Sequence, residues 1–272
     1  MTSPQEYALI TGASFGLGEE FARRLAARGW SLILVARSHD RLERLREELT
    51  SAHPGIDVRC FPVDLSAPDA PAKLFAETQA PNLEVTLLIN NAGFGAFGEF
   101  ASLGRERLRQ MIDLNVAALV ELTHLYLQPM VQQTAAQRAR GGIVNIASVA
   151  GFIPLPYSAV YAATKAFVRS FSHSLFEEAR HRGVRVLVVN PGTTSTNFFE
   201  VAGKSPYNHP LRTQTAAQVV GESLRAFDRG KRSVVTGTAN RLTVLLATLI
   251  PAAVLTTVVG HLIRHKIQPT SR

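Results

Sequence analysis

Cysteine is nearly absent from this 272-residue chain: Cys60 stands alone, so no internal disulfide can form and the composition suits a reducing compartment. No internal repeat, low-complexity run or linker interrupts it, which argues for one folding unit rather than an array of modules. The opening MTSPQEYALI lacks both a basic n-region and a long apolar stretch, so no secretory leader is expected and the cytoplasm is the expected site of action. Metal-ligand spacing is missing among the eight histidines, since His261 and His265 lie four apart without a third ligand; a surface helix is the better reading. Acidic residues are the minority, 21 against 29 Lys and Arg, for a net charge of +8. The basic residues are nonetheless spread among acids along helical stretches (Arg23, Arg24, Arg28, Arg41, Arg44, Arg46, Arg105, Arg107, Arg109), and no nucleic-acid-binding motif accompanies them. They read as solvated faces, and no nucleic-acid partner is expected.

What is present is an alternation of short Val/Ile/Leu runs with stretches of helical periodicity. The runs fall near residues 7–11, 31–36, 58–63, 87–90, 143–148, 184–189 and 233–236. Brief continuous apolar runs are the pattern of parallel strands buried on both faces. The expected fold is therefore α/β, a Rossmann-type doubly wound parallel sheet of about seven strands with helices on both faces. In such sheets ligands bind beyond the carboxyl ends of the strands. Gly12 follows the first run, Arg37 the second, Asp64 the third, Asn90 and Gly93 the fourth, Ser148 the fifth and Pro191 the sixth.

Two of these places carry recognisable chemistry. YALIT runs into GASFGLG and then into the helical pattern EEFARRLAARG, so Gly12, Gly16 and Gly18 stand where a backbone turns, approaches a phosphate and packs a helix against a strand. The spacing is GxxxGxG rather than GxGxxG, and an ordinary strand-to-helix turn is the competing reading. Tyr161 and Lys165 lie four apart in YAATK, thirteen residues beyond Ser148. On a helix that spacing places phenol and ammonium on one face, where the cation favours the phenolate; a solvated Tyr/Lys pair is the competing reading.

TGASFGLG, NNAG (residues 90–93), Asn115, Ser148, YAATK and PGTTST (residues 191–196) together resemble the short-chain dehydrogenase/reductase family in residue type, order and spacing. VARSHDRLERL and NNAGFGAFGEF are especially similar to a large classical-type bacterial branch of that family. The resemblance covers roughly residues 7–196 and implies reversible hydride transfer between a nicotinamide and a carbonyl or alcohol. It implies a catalytic set of Asn115, Ser148, Tyr161 and Lys165: Tyr161 as proton donor or acceptor, Ser148 holding the carbonyl oxygen, Lys165 biasing the phenol and holding the nicotinamide ribose, and Asn115 anchoring a water. For the cofactor it implies Gly12, Ser14, Phe15, Gly16, Leu17, Gly18, Arg37, Asp64, Leu65, Asn91, Ala92, Gly93, Tyr161, Lys165, Pro191, Gly192, Thr194 and Thr196. Arg37 stands where an acid would accept hydrogen bonds from the ribose hydroxyls of NAD, and its guanidinium matches a 2′-phosphate, with Ser14 and Ser38 as further donors. NADP(H) is therefore expected over NAD(H); a solvated arginine is the alternative.

FGAF after Asn91 and FIPLPY between Ser148 and Tyr161 are uncharged, so Phe94, Phe97, Phe152, Leu155 and Tyr157 are candidates for an apolar substrate wall, the alternative being core or subunit packing. The substrate expected is a small apolar carbonyl or secondary alcohol, with reduction the expected direction. A loop over 197–213 holds Phe198, Phe199 and Tyr207 as candidate lid residues. Residues 1–240 are expected to form the single dehydrogenase domain, assembled as a homodimer or homotetramer. Residues 241–272 form an apolar helical tail with basic flanks. Residues 242–260 contain no charge, but Pro251 at their centre suggests two short helices rather than one span. Positions 242, 245, 246, 249 and 250 recur at helical spacing, consistent with docking on the domain or a second subunit, with peripheral membrane contact and true spanning as alternatives. Two other functional readings stand beside the reductase: a catalytically silent NADP-binding regulator, and a membrane-associated member acting on lipid-like substrates.

Overall fold

Along the first strand, β1 (Glu6–Thr11), Ala8 and Ile10 point into one cluster of buried side chains, and Tyr7 and Leu9 into another. β2 (Ser31–Ala36) repeats the division, with Leu32 and Leu34 on the first side and Ile33 and Val35 on the second. A strand alternates faces with period two, so strands that are apolar at every position need cover on both faces. The computed structural model describes residues 5–80, 83–133, 135–195 and 213–264, and shows that cover. On one face lie α1 (Gly16–Ala26), α2 (His39–Ala52) and α8 (Ala216–Asp228), which contribute Phe21, Leu45 and Leu224. On the other lie α3 (Ala70–Gln79), α5 (Leu119–Gln132) and α7 (Ala159–Arg180), which contribute Leu74, Tyr126 and Leu175.

The sheet has seven parallel strands in the order β3-β2-β1-β4-β5-β6-β9, where β3 is Val58–Pro62, β4 Glu84–Asn90, β5 Gly142–Ile146, β6 Val186–Asn190 and β9 Ser233–Val235. A separate two-stranded pairing joins β7 (Thr194–Ser195) to β8 (Gln214–Thr215). All seven expected strands are present. The fourth starts three residues earlier than its apolar run, because Glu84 and Val85 pair with Glu6 and Tyr7 across a register shift in β1. The connection reverses direction between β1 and β4, and the crevice at that switch point is where the fold places a ligand.

Among the described residues the chain before its tail also holds α4 (Arg105–Ile112), a π-helical turn (Asp113–Ala118) leading into α5, and α6 (Ala135–Arg140). The tail is two helices, α9 (Thr238–Leu249) and α10 (Ala252–Arg264), separated where Ile250 turns extended before Pro251. The two-helix expectation thus agrees with the structure, while the expected boundary after residue 240 falls inside α9. Of the expected placements, docking of the apolar row on the domain itself is the one the structure does not show. Asn240, Val244 and Ala247 turn inward, whereas Leu242, Leu245, Leu246, Leu249 and Ile250 are exposed. No helix among the described residues is long and apolar enough to cross a membrane.

Candidate active site

The turn after β1 takes its shape from a contact no side chain could share. Gly12 has φ +65°, and a Cβ on Gly18 would stand 2.2 Å from the Gly12 carbonyl oxygen. Two bare backbones meet there, and α1 starts behind an N-cap, Phe15, that offers no side-chain acceptor. Its first N–H groups are therefore available to an anion. Asn91 secures the turn from β4: its Nδ2 donates to the carbonyl oxygens of Thr11 (2.9 Å) and Gly12 (3.2 Å). Thr11 Oγ1 accepts in return from the N–H groups of Asn91 (3.0 Å) and Ala92 (2.9 Å).

A cleft of about 720 Å³ opens from this turn. Its lining includes Gly12, Ser14, Phe15, Gly16 and Leu17 at one end, then Arg37, Asp64 and Leu65 beyond β2 and β3. Asn91, Ala92 and Gly93 line it beyond β4, Ser148, Tyr161 and Lys165 at its centre, and Pro191, Gly192 and Thr194 beyond β6. Gly18 and Asn115 lie behind this surface rather than on it. Asp64 accepts from the N–H and hydroxyl of Ser66, closing a tight turn. Thr196 falls outside the described residues.

Ser148 follows β5 in extended backbone, and its Oγ accepts from the N–H of Ala150 (3.1 Å). Tyr161 and Lys165 share the inward face of α7, and the Tyr161 hydroxyl is hydrogen-bonded to Ser148. Lys165 is only 5% exposed, its Nζ donating 2.8 Å to the carbonyl oxygen of Ile146. Burial pushes the Tyr161 phenol up to about 12, with the Ser148 hydrogen bond acting the other way, and lowers Lys165 to about 8. The expected pull of Lys165 on the phenol is thus outweighed here by desolvation: the ammonium is 5.9 Å from the ring centre and directed at a backbone carbonyl.

Asn115 joins two elements beside these groups. Its carboxamide accepts from the N–H of Phe94 (3.1 Å) and donates to the Phe94 carbonyl (2.9 Å) and Thr164 Oγ1 (3.1 Å). Those bonds use the group to hold the loop after β4 against α7. Asn115 sits in the π-helical turn, a local widening that apolar periodicity does not reveal.

Phe94, Phe97, Phe152 and Leu155 line the cleft as expected; Tyr157, held at φ +62°, does not. Phe198, Phe199 and Tyr207 lie outside the described residues. Four lining residues that sequence reasoning missed, Asn240, Thr243, Val244 and Ala247, come from α9. Arg41 was also missed. It lines the cleft one helical turn beyond Arg37, and neither guanidinium forms a hydrogen bond or ion pair with any described residue. A second arginine in the first turn of the helix that follows Arg37 was the available signal.

A family model described as short chain dehydrogenase matches residues 6–205. The chain belongs to the short-chain dehydrogenase/reductase family. Among curated short-chain dehydrogenase relatives, the very-long-chain 3-oxoacyl-CoA reductase of Rattus norvegicus is 33% identical over 201 residues, 72% of this chain and 62% of that protein. The chain therefore matches less than two thirds of the length of that relative. The 7beta-hydroxysteroid dehydrogenase of Mediterraneibacter gnavus is 30% identical over 242 residues, 88% of this chain and 89% of that one. Among solved structures, a short-chain dehydrogenase from Sphingobium yanoikuyae in complex with NADPH superposes with a TM-score of 0.78 at 31% identity, covering 99% of this chain and 98% of that one.

For this short-chain dehydrogenase/reductase a nicotinamide dinucleotide is the implied cofactor, and the residues present fit it. The close approach of Gly12 and Gly18 sets the turn that brings the start of α1 to the cleft, where Gly12, Ser14 and Gly16 line it without bulky side chains. A Cβ on Gly93 would press within 2.9 Å of Asn115 Oδ1 and 3.4 Å of Lys165 Nζ, so the bare backbone there preserves room beside the reacting groups.

Proposed function

We propose that the protein is an NADP(H)-dependent oxidoreductase that reduces an apolar carbonyl to a secondary alcohol. The observation that carries this reading is convergence: the glycine turn, Arg37 and Arg41, which pair with no described residue, and the Ser148–Tyr161–Lys165 set all face one cleft at the carboxyl ends of the strands. Gly12, Ser14, Gly16 and the first N–H groups of α1 would hold the pyrophosphate, Asp64 and Leu65 the adenine side, and Asn91 to Gly93 with Lys165 the ribose next to the nicotinamide. Arg37 and Arg41, with Ser14 and Ser38, would surround a 2′-phosphate, which favours NADP(H).

A nicotinamide held there would supply the hydride for the carbonyl carbon, or take one up in the reverse direction. Ser148 donates a hydrogen bond to the carbonyl oxygen and so fixes it beside Tyr161. With its pKa near 12 the phenol carries its proton at neutral pH and donates it as negative charge develops on that oxygen, which suits reduction. Lys165, with a pKa near 8, is mostly protonated at pH 7 and stabilises the phenolate left behind. Leu114, Ile153, Leu155, Val244 and the phenylalanines line the rest of the cleft, which favours an apolar body around the carbonyl. The names of the hydroxysteroid and very-long-chain relatives point the same way.

The test is NADPH oxidation with a panel of aldehydes, ketones and long-chain or steroidal carbonyls. Turnover with the apolar members, and a lower KM for NADPH than for NADH, is the expected result; no turnover across a broad panel overturns the enzymatic reading.

A further inference from the structure

Asp228 is the last acidic residue of the chain, and the 44 residues after it carry seven Lys and Arg, so this segment holds +7 of the net +8. The same segment bears the longest row of exposed apolar side chains on the described surface. On α9 these are Leu242, Leu245, Leu246 and Leu249, and on α10 Val254, Val258 and Leu262; Leu249 reaches 74% exposure. Both rows repeat at three and four residues, so each is one face of its helix. The opposite face of α9 (Asn240, Thr243, Val244, Ala247) lines the cofactor and substrate cleft. α10 rests on the loop before α7, where Gly260 lies against Pro156.

We propose that the outer face of α9 and α10 is a docking surface for an anionic lipid bilayer, on which the two helices lie in the plane of the interface. Helices of 12 and 13 residues are roughly 18–20 Å long, too short for a hydrocarbon core of about 30 Å, so they lie on a bilayer and do not cross it. Arg229, Lys231 and Arg241 share a shallow depression with Thr238 at the start of α9, and Arg264 closes α10. Arg241 is paired with Glu222 (2.6 Å) and Arg232 with Glu177 (3.5 Å), whereas Arg229, Lys231 and Arg264 form no ion pair with any described residue. Apolar side chains between basic ends match an acyl boundary under anionic headgroups. A second copy is the poorer occupant: a two-fold interface apposes identical patches, setting one +7 segment against another. The arrangement also keeps the cleft about one helix diameter, roughly 10 Å, from the acyl boundary.

The experiment is co-sedimentation of the full chain with vesicles of phosphatidylcholine alone or containing about one third phosphatidylglycerol, with light scattering in the absence of lipid. Because sedimentation reads no turnover, its outcome is independent of the reaction proposed above. The parent chain is expected to bind the anionic vesicles at least tenfold more tightly than the zwitterionic ones, and to lose that binding as salt is raised. The variant Leu242→Glu/Leu246→Glu/Leu249→Glu is expected to bind at least tenfold more weakly while still binding NADPH; Leu249→Ser reads the same face should the triple change disturb folding. A parent chain that stays in the supernatant with both vesicles, or variants that sediment like the parent, overturns the proposal. So does a parent dimer that the triple change converts to monomer while neither binds lipid.

Discussion

The ammonium of Lys165 donates a 2.8 Å hydrogen bond to the carbonyl oxygen of Ile146, the last residue of β5. This pairing anchors a buried cation to the sheet directly below the cleft, and desolvation lowers its pKa from 10.5 to about 8. Between those values the unfolded chain binds a proton that the folded chain has released, so the Lys165 contribution to stability rises as pH rises from about 8 to 10.5. Tyr161 acts in the opposite sense only above pH 10, where its phenol ionises in the unfolded chain and stays protonated in the folded one. Relative to Lys165→Met, the parent should gain on the order of 2–3 kcal/mol between pH 7 and pH 10 in urea titrations. A stability difference that does not change with pH contradicts the burial of a titrating ammonium.

Gly18→Ala should be felt in the fold and the cofactor site together. Its Cβ would meet the Gly12 carbonyl carbon at 2.8 Å and Asn91 Nδ2 at 2.7 Å, so the turn or α1 must move. A loss of about 1–3 kcal/mol is expected by thermal or denaturant unfolding. Weaker NADPH binding by fluorescence should accompany it.

Arg37→Asp, alone and with Arg41→Ala, tests the two arginines at the cleft mouth. Losing charged hydrogen bonds to a 2′-phosphate should raise KM for NADPH about 10- to 100-fold, with KM for NADH little changed or lower. Equal effects on the two cofactors would place both arginines outside the phosphate contact.

Asn115→Ala removes both bonds to the Phe94 backbone, leaving a partly buried N–H and carbonyl without these partners. A cost of about 1–3 kcal/mol in stability is expected, with turnover reduced because the loop carrying Gly93 and Phe94 loses its tie to α7. Asn115→Asp keeps the acceptor for the Phe94 N–H and should recover part of the stability.

The strands were legible because each is a parallel strand buried on both faces, so its apolar run marks it within about three residues; β2 coincides with its run. The glycine turn, Ser148, Tyr161 and Lys165 were legible because backbone contact and proton transfer restrict residue type at fixed spacing. What escaped depended on tertiary surroundings. The pKa of Tyr161 follows from burial, which a Tyr-xxx-Lys spacing does not encode. Apolar periodicity on α9 marks a stripe without saying what covers it: Asn240 fills the narrow space over Gly192, Ala247 is buried, and the leucines face away from the domain. Buried amide pairs such as Asn90 Nδ2 to Asn145 Oδ1 (2.9 Å) join the ends of β4 and β5, and nothing in the spacing of those asparagines announces them.

Replacement of Tyr161 by Phe tests the central claim most directly, since it removes one hydroxyl and leaves the ring in place. With a carbonyl that the parent reduces, turnover in Tyr161→Phe should fall by about 10²–10⁴-fold while NADPH binding, followed by fluorescence, stays within a few-fold of the parent. Turnover equal to the parent's would show that the proton comes from elsewhere.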